Sequence, residues 1–196
     1  MESTPQCSNA TASTLTSSLI RLAGMTHANV DLPTIWSEVS RLLAQQFGHS
    51  LFTILTYSPA LDRVVRVYST RPDLHPLGQR HPQSSTGSLD KSESPPPPPP
   101  QQQRRAWIQR VLVDGETWRG STKEDLKGVF EDWELLWSIG LGSVLNIPVR
   151  LEGKTVGSLN ILDGEHAYDE ADLKVGILIA QMLVVCVDKA GQMPTS

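Results

Sequence analysis

The stretch from Ser143 to Leu162 restricts the fold more than any other part of the chain. It reads SVLNIPVRL, then Glu152-Gly153, then KTVGSLNIL. Two runs of alternating apolar and polar residues joined by a short glycine-containing connection make an antiparallel hairpin. On the first strand Ser143, Leu145, Ile147, Val149 and Leu151 share one face, and Val144, Asn146, Pro148 and Arg150 share the other. On the second, Thr155, Gly157, Leu159 and Ile161 oppose Val156, Ser158, Asn160 and Leu162. One side is apolar and the other mixed, with an asparagine from each strand. A sheet of this kind packs helices on one face and holds something else on the other.

Helical signals flank it. Leu15, Leu19, Leu22 and Ala23 recur at helical spacing and predict a modest amphipathic helix over Ser13 to Met25. Asp31, Pro33 and Gly48 frame a stronger helix from Leu32 to Phe47, with Ile35, Trp36, Val39, Leu42, Leu43 and Phe47 as its buried stripe. LFTILTY (51–57) and VVRVYS (64–69) are predicted strands. Trp107, Ile108, Val111 and Leu112 suit a short helix, and Glu116 to Arg119 a brief strand. Ser121-Thr122-Lys123-Glu124 has the pattern of a capping box. It opens a helix through Leu126, Val129, Phe130, Trp133, Leu136 and Trp137, whose acids Glu124, Asp125, Glu131, Asp132 and Glu134 form a solvated face. The last helix is expected from Asp169, as its cap, to about Lys189. It is apolar nearly all round, which calls for two partners.

Between these signals, residues 78–105 change character: six consecutive prolines, Pro95 to Pro100, precede three glutamines. Polyproline geometry and few apolar side chains mark a disordered surface insertion, or a docking motif for a proline-binding protein. Residues 1–12 and 191–196 are expected as tails, leaving one domain over 13–190.

The composition excludes several classes. A net charge of -4 over 196 residues gives no basic face for nucleic acid. No stretch has the length and hydrophobicity of a membrane span, and no signal peptide precedes the domain, so a cytoplasmic or nuclear location is expected. Two cysteines, Cys7 and Cys186, imply no disulfide framework. No glycine-flanked nucleophilic serine, phosphate-binding glycine loop or zinc-spaced histidine pair is found, so no catalytic residue and no metal ligand is assigned. His27, His49, His75, His81 and His166 are scattered.

The sequence resembles a GAF domain. The resemblance is carried by Phe130-Glu131-Asp132-Trp133-Glu134-Leu135-Leu136 and by Ile139-Gly140-Leu141-Gly142-Ser143-Val144-Leu145-Asn146-Ile147-Pro148-Val149. It continues in Val156-Gly157-Ser158-Leu159-Asn160 and Tyr168-Asp169-Glu170-Ala171-Asp172-Leu173. It implies an α+β sandwich: about six antiparallel strands, terminal helices on one face, and short helices and loops closing over a small-molecule pocket on the other. GAF domains sense cyclic nucleotides, bind tetrapyrroles, haem or metabolites, or only dimerise, and one branch reduces free methionine sulfoxide through cysteines. Asp163 and Gly164 stand where the cyclic-nucleotide signature has Asn and Lys, and neither cysteine suits a pocket loop. What remains is a non-catalytic, ligand-binding regulatory module that dimerises through its terminal helices. An enzyme acting on a small metabolite, or a ligandless scaffold, is the alternative. Tyr68, Trp107, Trp137, Asn146 and Asn160 are the candidate ligand contacts: an aromatic wall and a few polar groups are what such pockets use. Packing alone would also explain a tryptophan at helical spacing. The cofactor is unassigned.

Overall fold

The computed structural model describes residues 6–61, 63–80 and 99–193. Its centre is a six-stranded antiparallel sheet in the order β3-β2-β1-β6-β5-β4. The strands are β1 (Leu51–Ser58), β2 (Arg63–Ser69), β3 (Gly78–Arg80), β4 (Trp118–Gly120), β5 (Ser143–Leu151) and β6 (Lys154–Asp163). The predicted hairpin is β5–β6, with Glu152 and Gly153 both at positive φ in its turn. Together with helices on both sides this is the α+β sandwich expected from the sequence.

One face carries the main core. Leu145, Ile147 and Val149 of β5, Leu159 and Ile161 of β6, and Phe52 and Ile54 of β1 pack there. They meet α2 (Leu32–Phe47) and the pair α6 (Lys174–Met182) and α7 (Val184–Gln192), with Leu22 of α1 (Gln6–His27) behind them. Asp31 caps α2 by accepting from the Thr34 N–H at 2.9 Å, and Pro33 occupies its first turn, where no backbone donor is needed. Gly157 is required on this face. A Cβ there would run into the Leu55 carbonyl and, at 2.6 Å, into Val187 Cγ1. Within α2, the buried Glu38 accepts from Arg41 and Arg21 at 2.6 and 2.7 Å; the Arg41 hydrogen bonds, before the charges themselves, hold its carboxyl below the usual range.

Several sequence expectations move. The first helix begins at Gln6, inside the expected tail, because a polar segment can extend a helix whose later turns are anchored by Leu19 and Leu22. The ends of the 78–105 insertion are structured as well. Gly78–Arg80 pairs with β2, and Pro99 and Pro100 open α3 (Pro99–Ile108), in the first turn, where proline is tolerated. Residues 81–98 lie outside the described part. After α3 the chain makes a π-helical turn, Gln109–Val113.

The capping box falls one residue later than expected. Thr122 accepts from the Asp125 N–H at 3.3 Å, and the Asp125 carboxylate accepts from the Thr122 N–H at 2.9 Å. The helix it opens is two pieces, α4 (Lys123–Val129) and α5 (Trp133–Ser138), separated at Phe130 to Asp132. The last helix starts at Lys174 and bends by 51° between α6 and α7. Asp169 does not cap it; Asp172 accepts from the Lys174 N–H at 3.1 Å instead. The second partner expected for that helix is only partly supplied: α1 touches α6, but Leu178 and Val185 are exposed. Among the described residues no single helix is long and apolar enough to cross a membrane.

Candidate functional site

Asn146 and Asn160 lie opposite each other on β5 and β6, and Thr53 of β1 lies opposite Asn160. All three side chains are buried, Asn146 completely and Asn160 to 4% exposure. Burying an amide is costly unless its hydrogen bonds are replaced, and here they are. Trp107 Nε1 of α3 donates to Asn146 Oδ1 at 3.0 Å. Asn146 Nδ2 donates to Asn160 Oδ1 at 2.6 Å, Ser158 Oγ donates to the same oxygen at 3.1 Å, and Asn160 Nδ2 donates to Thr53 Oγ1 at 3.2 Å. This polar row crosses three strands and ties α3 to the sheet.

Beside the row lies a cavity of about 410 Å³. Its floor is Leu55, Val64 and Arg66 on the sheet. Trp107, Ile108 and Leu112 form one wall, Val129 and Phe130 another, and Pro76, Leu77 and Gly78 the rim. A separate chamber of about 50 Å³ adjoins it, sharing Leu55, Arg66, Trp107, Phe130 and Asp132, and lined also by Thr53, His75 and Asn160. Trp107 meets Phe130 edge-on at 5.9 Å between ring centres. Charged groups are paired: Arg104 meets Glu131 at 2.8 Å beside the cavity, and the buried His75, in the chamber wall, has Nδ1 3.5 Å from the Asp132 carboxylate. Arg66 Nη1 donates to the Pro76 carbonyl at 3.3 Å.

A larger cleft, about 560 Å³, lies on the far side of Trp107 between α3 and α4. Gln103, Ala106, Arg110, Glu124, Asp125 and Lys127 line it and all are exposed. Its walls are a solvated surface, so the smaller cavity on the sheet is the better site.

Of the five residues proposed from sequence, Trp107, Asn146 and Asn160 come together. The two asparagines are bonded mainly to one another and to their neighbours. Tyr68 is elsewhere. A bulge sets Ile54 opposite Tyr68 and Leu55 opposite Arg66, so Val67 is the extra residue. Arg66 therefore stays with the cavity, while Tyr68 packs in the helix-side core with its ring 5.7 Å from Phe52. A second bulge, at Val156, likewise places Val156 in the helix-side core, whereas the Thr155 hydroxyl reaches the Val111 carbonyl at 3.5 Å. Trp137 faces α4: its Nε1 donates to the Lys123 carbonyl at 3.2 Å and its ring lies 4.4 Å from Trp133.

Other expectations also shift. Of the five acids expected on a solvated face, Glu124, Asp125, Glu131 and Glu134 are exposed, although Glu124 meets Lys127 at 3.8 Å, Asp125 closes the capping box and Glu131 meets Arg104; Asp132 departs from the expectation, being half-buried and facing His75. Sequence reasoning missed Thr53, His75, Leu77 and Asp132 in the site. Thr53 could have been found from the alternation in β1; the loop carrying His75 has no periodic signal. Asp169 accepts from Ser121 and from His166 Nδ1, the latter at 2.9 Å, and these bonds lower its pKa. Tyr168 is core: its hydroxyl donates to the Gly48 carbonyl at 3.3 Å, and burial raises its pKa strongly. Cys186 is buried on α7, on the opposite side of the sheet from the cavity, and burial pushes its thiol pKa up.

No protein-family model matches the sequence, and no curated protein matches it. Solved structures do match in fold. The GAF domain of an Acinetobacter phosphoenolpyruvate-protein phosphotransferase has a TM-score of 0.60 at 13% identity, over 91% of this chain and 95% of that one. The A. aeolicus nlh2 GAF domain in an inactive state has a TM-score of 0.59 at 10% identity, over 87% and 93%. A free methionine-R-sulfoxide reductase from Neisseria meningitidis, in complex with its substrate, has a TM-score of 0.55 at 13% identity, over 98% and 95%. The fold is GAF-like.

Proposed function

With a GAF-like fold as the premise, we propose that this domain binds a small molecule over the polar face of its sheet and acts as a regulatory module without converting it. The observation carrying this is the cavity of about 410 Å³, walled by Trp107 and Phe130 and floored by the sheet. That volume lies within the roughly 300–1,000 Å³ of small-molecule sites, and aromatic and aliphatic walls interrupted by Arg66, Arg104, Glu131 and Asp132 offer such a molecule both apolar contact and charged groups. Pairing of two copies through α1, α6 and α7 is the second part of the proposal. Ile20, Leu178 and Val185 expose apolar surface there, Val185 to 66%.

The test is a screen of small metabolites by ligand-observed NMR, with wild type and Leu77→Trp side by side. Leu77 is exposed on the cavity rim, so a tryptophan there should obstruct the cavity without disturbing the core. Binding that disappears in Leu77→Trp supports the proposal; ligands that bind both proteins equally overturn the assignment of the site.

A catalytic reading has one observation in its favour, the His75–Asp132 pair at 3.5 Å in the chamber wall, an arrangement suited to moving a proton. Turnover of a bound metabolite, lost in His75→Gln, would favour it. Thiol chemistry has less support, since Cys186 lies behind the sheet.

A further inference from the structure

We propose that the chamber adjoining the cavity receives a hydrogen-bond acceptor, so that the ligand is a small molecule with a flat apolar body and a carboxylate head. This rests on the cavity being the binding site.

The reasoning starts at Trp107, whose indole N–H can only donate. Because Trp107 Nε1 donates to Asn146 at 3.0 Å, the Asn146 side chain must turn its oxygen to the indole and its nitrogen to Asn160. The Asn160 oxygen then accepts from Asn146 and also from Ser158, which fills both of its lone-pair positions. The Asn160 nitrogen is left to point at Thr53, whose oxygen accepts from it at 3.2 Å. One donor-only group thus fixes the direction of every bond in the row.

Its far end is the Thr53 hydroxyl, which accepts within the row and has its O–H left to donate. Thr53 and Asn160 both line the adjoining chamber of about 50 Å³, whose other walls include the apolar Leu51, Leu136 and Leu162. That space is enough for one small polar group. What the row turns toward it is donors: the Thr53 O–H and the second hydrogen of Asn160 Nδ2. Arg66, another donor-only side chain, lines both the chamber and the cavity. The carboxylate in the chamber wall, Asp132, faces His75 Nδ1 at 3.5 Å. A ligand's carboxylate meets complementary hydrogens there and a positive guanidinium beside them. Beside it, Trp107, Phe130, Leu55 and Val64 suit a planar apolar body.

The probe pair is phenylacetate and phenethylamine, similar in size and opposite in head-group chemistry, titrated against the full chain by ligand-observed NMR. The net charge of -4 favours the amine at long range, so a preference for the acid must come from the site. Wild type should prefer phenylacetate by about tenfold. Thr53→Ser, which keeps the hydroxyl, should retain that preference, and Thr53→Val should lose most of it. Equal or tighter binding of the amine overturns the inference while leaving the cavity reading intact, as does a preference for the acid that persists undiminished in Thr53→Val. If neither probe binds but the wider screen yields a cavity ligand of another class, the inference falls and the binding reading stands. If Thr53→Val does not fold, the wild-type preference and its retention in Thr53→Ser decide the matter.

Discussion

The two faces of the sheet are built from the same six strands but follow opposite rules. Behind it, Leu145, Ile147, Leu159 and Ile161 meet α2, α6 and α7 in a continuous apolar core. In front, the same two central strands present Asn146, Ser158 and Asn160, and the covering elements are short and leave a cavity. The back holds the domain together through close packing, where each lost methylene is felt. The front ties α3 to the sheet through a hydrogen-bonded row, between two smaller apolar clusters, one around Leu51, Val144 and Leu162 and one around Val64, Val111 and Leu112. The larger apolar core is therefore on one face and the cavity on the other.

The comparison can be broken most easily by truncating a side chain on each face. Leu159→Ala, in the helix-side core, should cost about 3 kcal/mol in chemical denaturation, whereas Leu55→Ala, beside the cavity, should cost about 1 kcal/mol. Equal losses would mean that the front is packed as tightly as the back. Cutting the polar row should come next. Asn160→Leu leaves the Ser158 hydroxyl, the Asn146 amide and the Thr53 hydroxyl short of partners, and should cost about 2–3 kcal/mol. A change below 0.5 kcal/mol would remove the row as the tie between α3 and the sheet.

Glu38 sharpens the picture of the back. Its pKa is lowered when folded, so the stability it contributes is present above its ordinary value of 4.5 and is lost as pH falls through the lower folded value. Glu38→Gln should be less stable than wild type by about 1–2 kcal/mol at pH 7, with the gap closing in acid below 4.5. A gap independent of pH would show that the arginine pairs are not its source. The smallest expected effect is at Val185. It is exposed, so Val185→Ser should alter monomer stability by no more than about 0.5 kcal/mol. It should nevertheless weaken self-association in sedimentation if α7 forms the interface.

How far the sequence reveals these faces depends on periodicity. Strict alternation along a strand puts Asn146 and Asn160 on one side, and in the structure they lie opposite each other. The same rule fails at Val67 and Val156, where one extra residue shifts the register and sends Tyr68 to the back of the sheet. No residue in either strand announces a bulge. The split between α4 and α5 was equally hidden: Leu126, Val129, Phe130 and Trp133 keep helical spacing across a break that tertiary packing imposes. His75 and Asp132 meet only because two loops converge, and loops have no period from which contact could be read.

The most direct measurement is hydrogen exchange at the Trp107 indole, read from its ¹H–¹⁵N signal in wild type and in Asn146→Leu. If the buried asparagine row fixes this wall of the cavity, the Trp107 N–H should exchange far more slowly than a free indole, and the protection should vanish in the variant. Exchange in wild type at the rate of an exposed indole would contradict the row's role in holding α3 over the sheet.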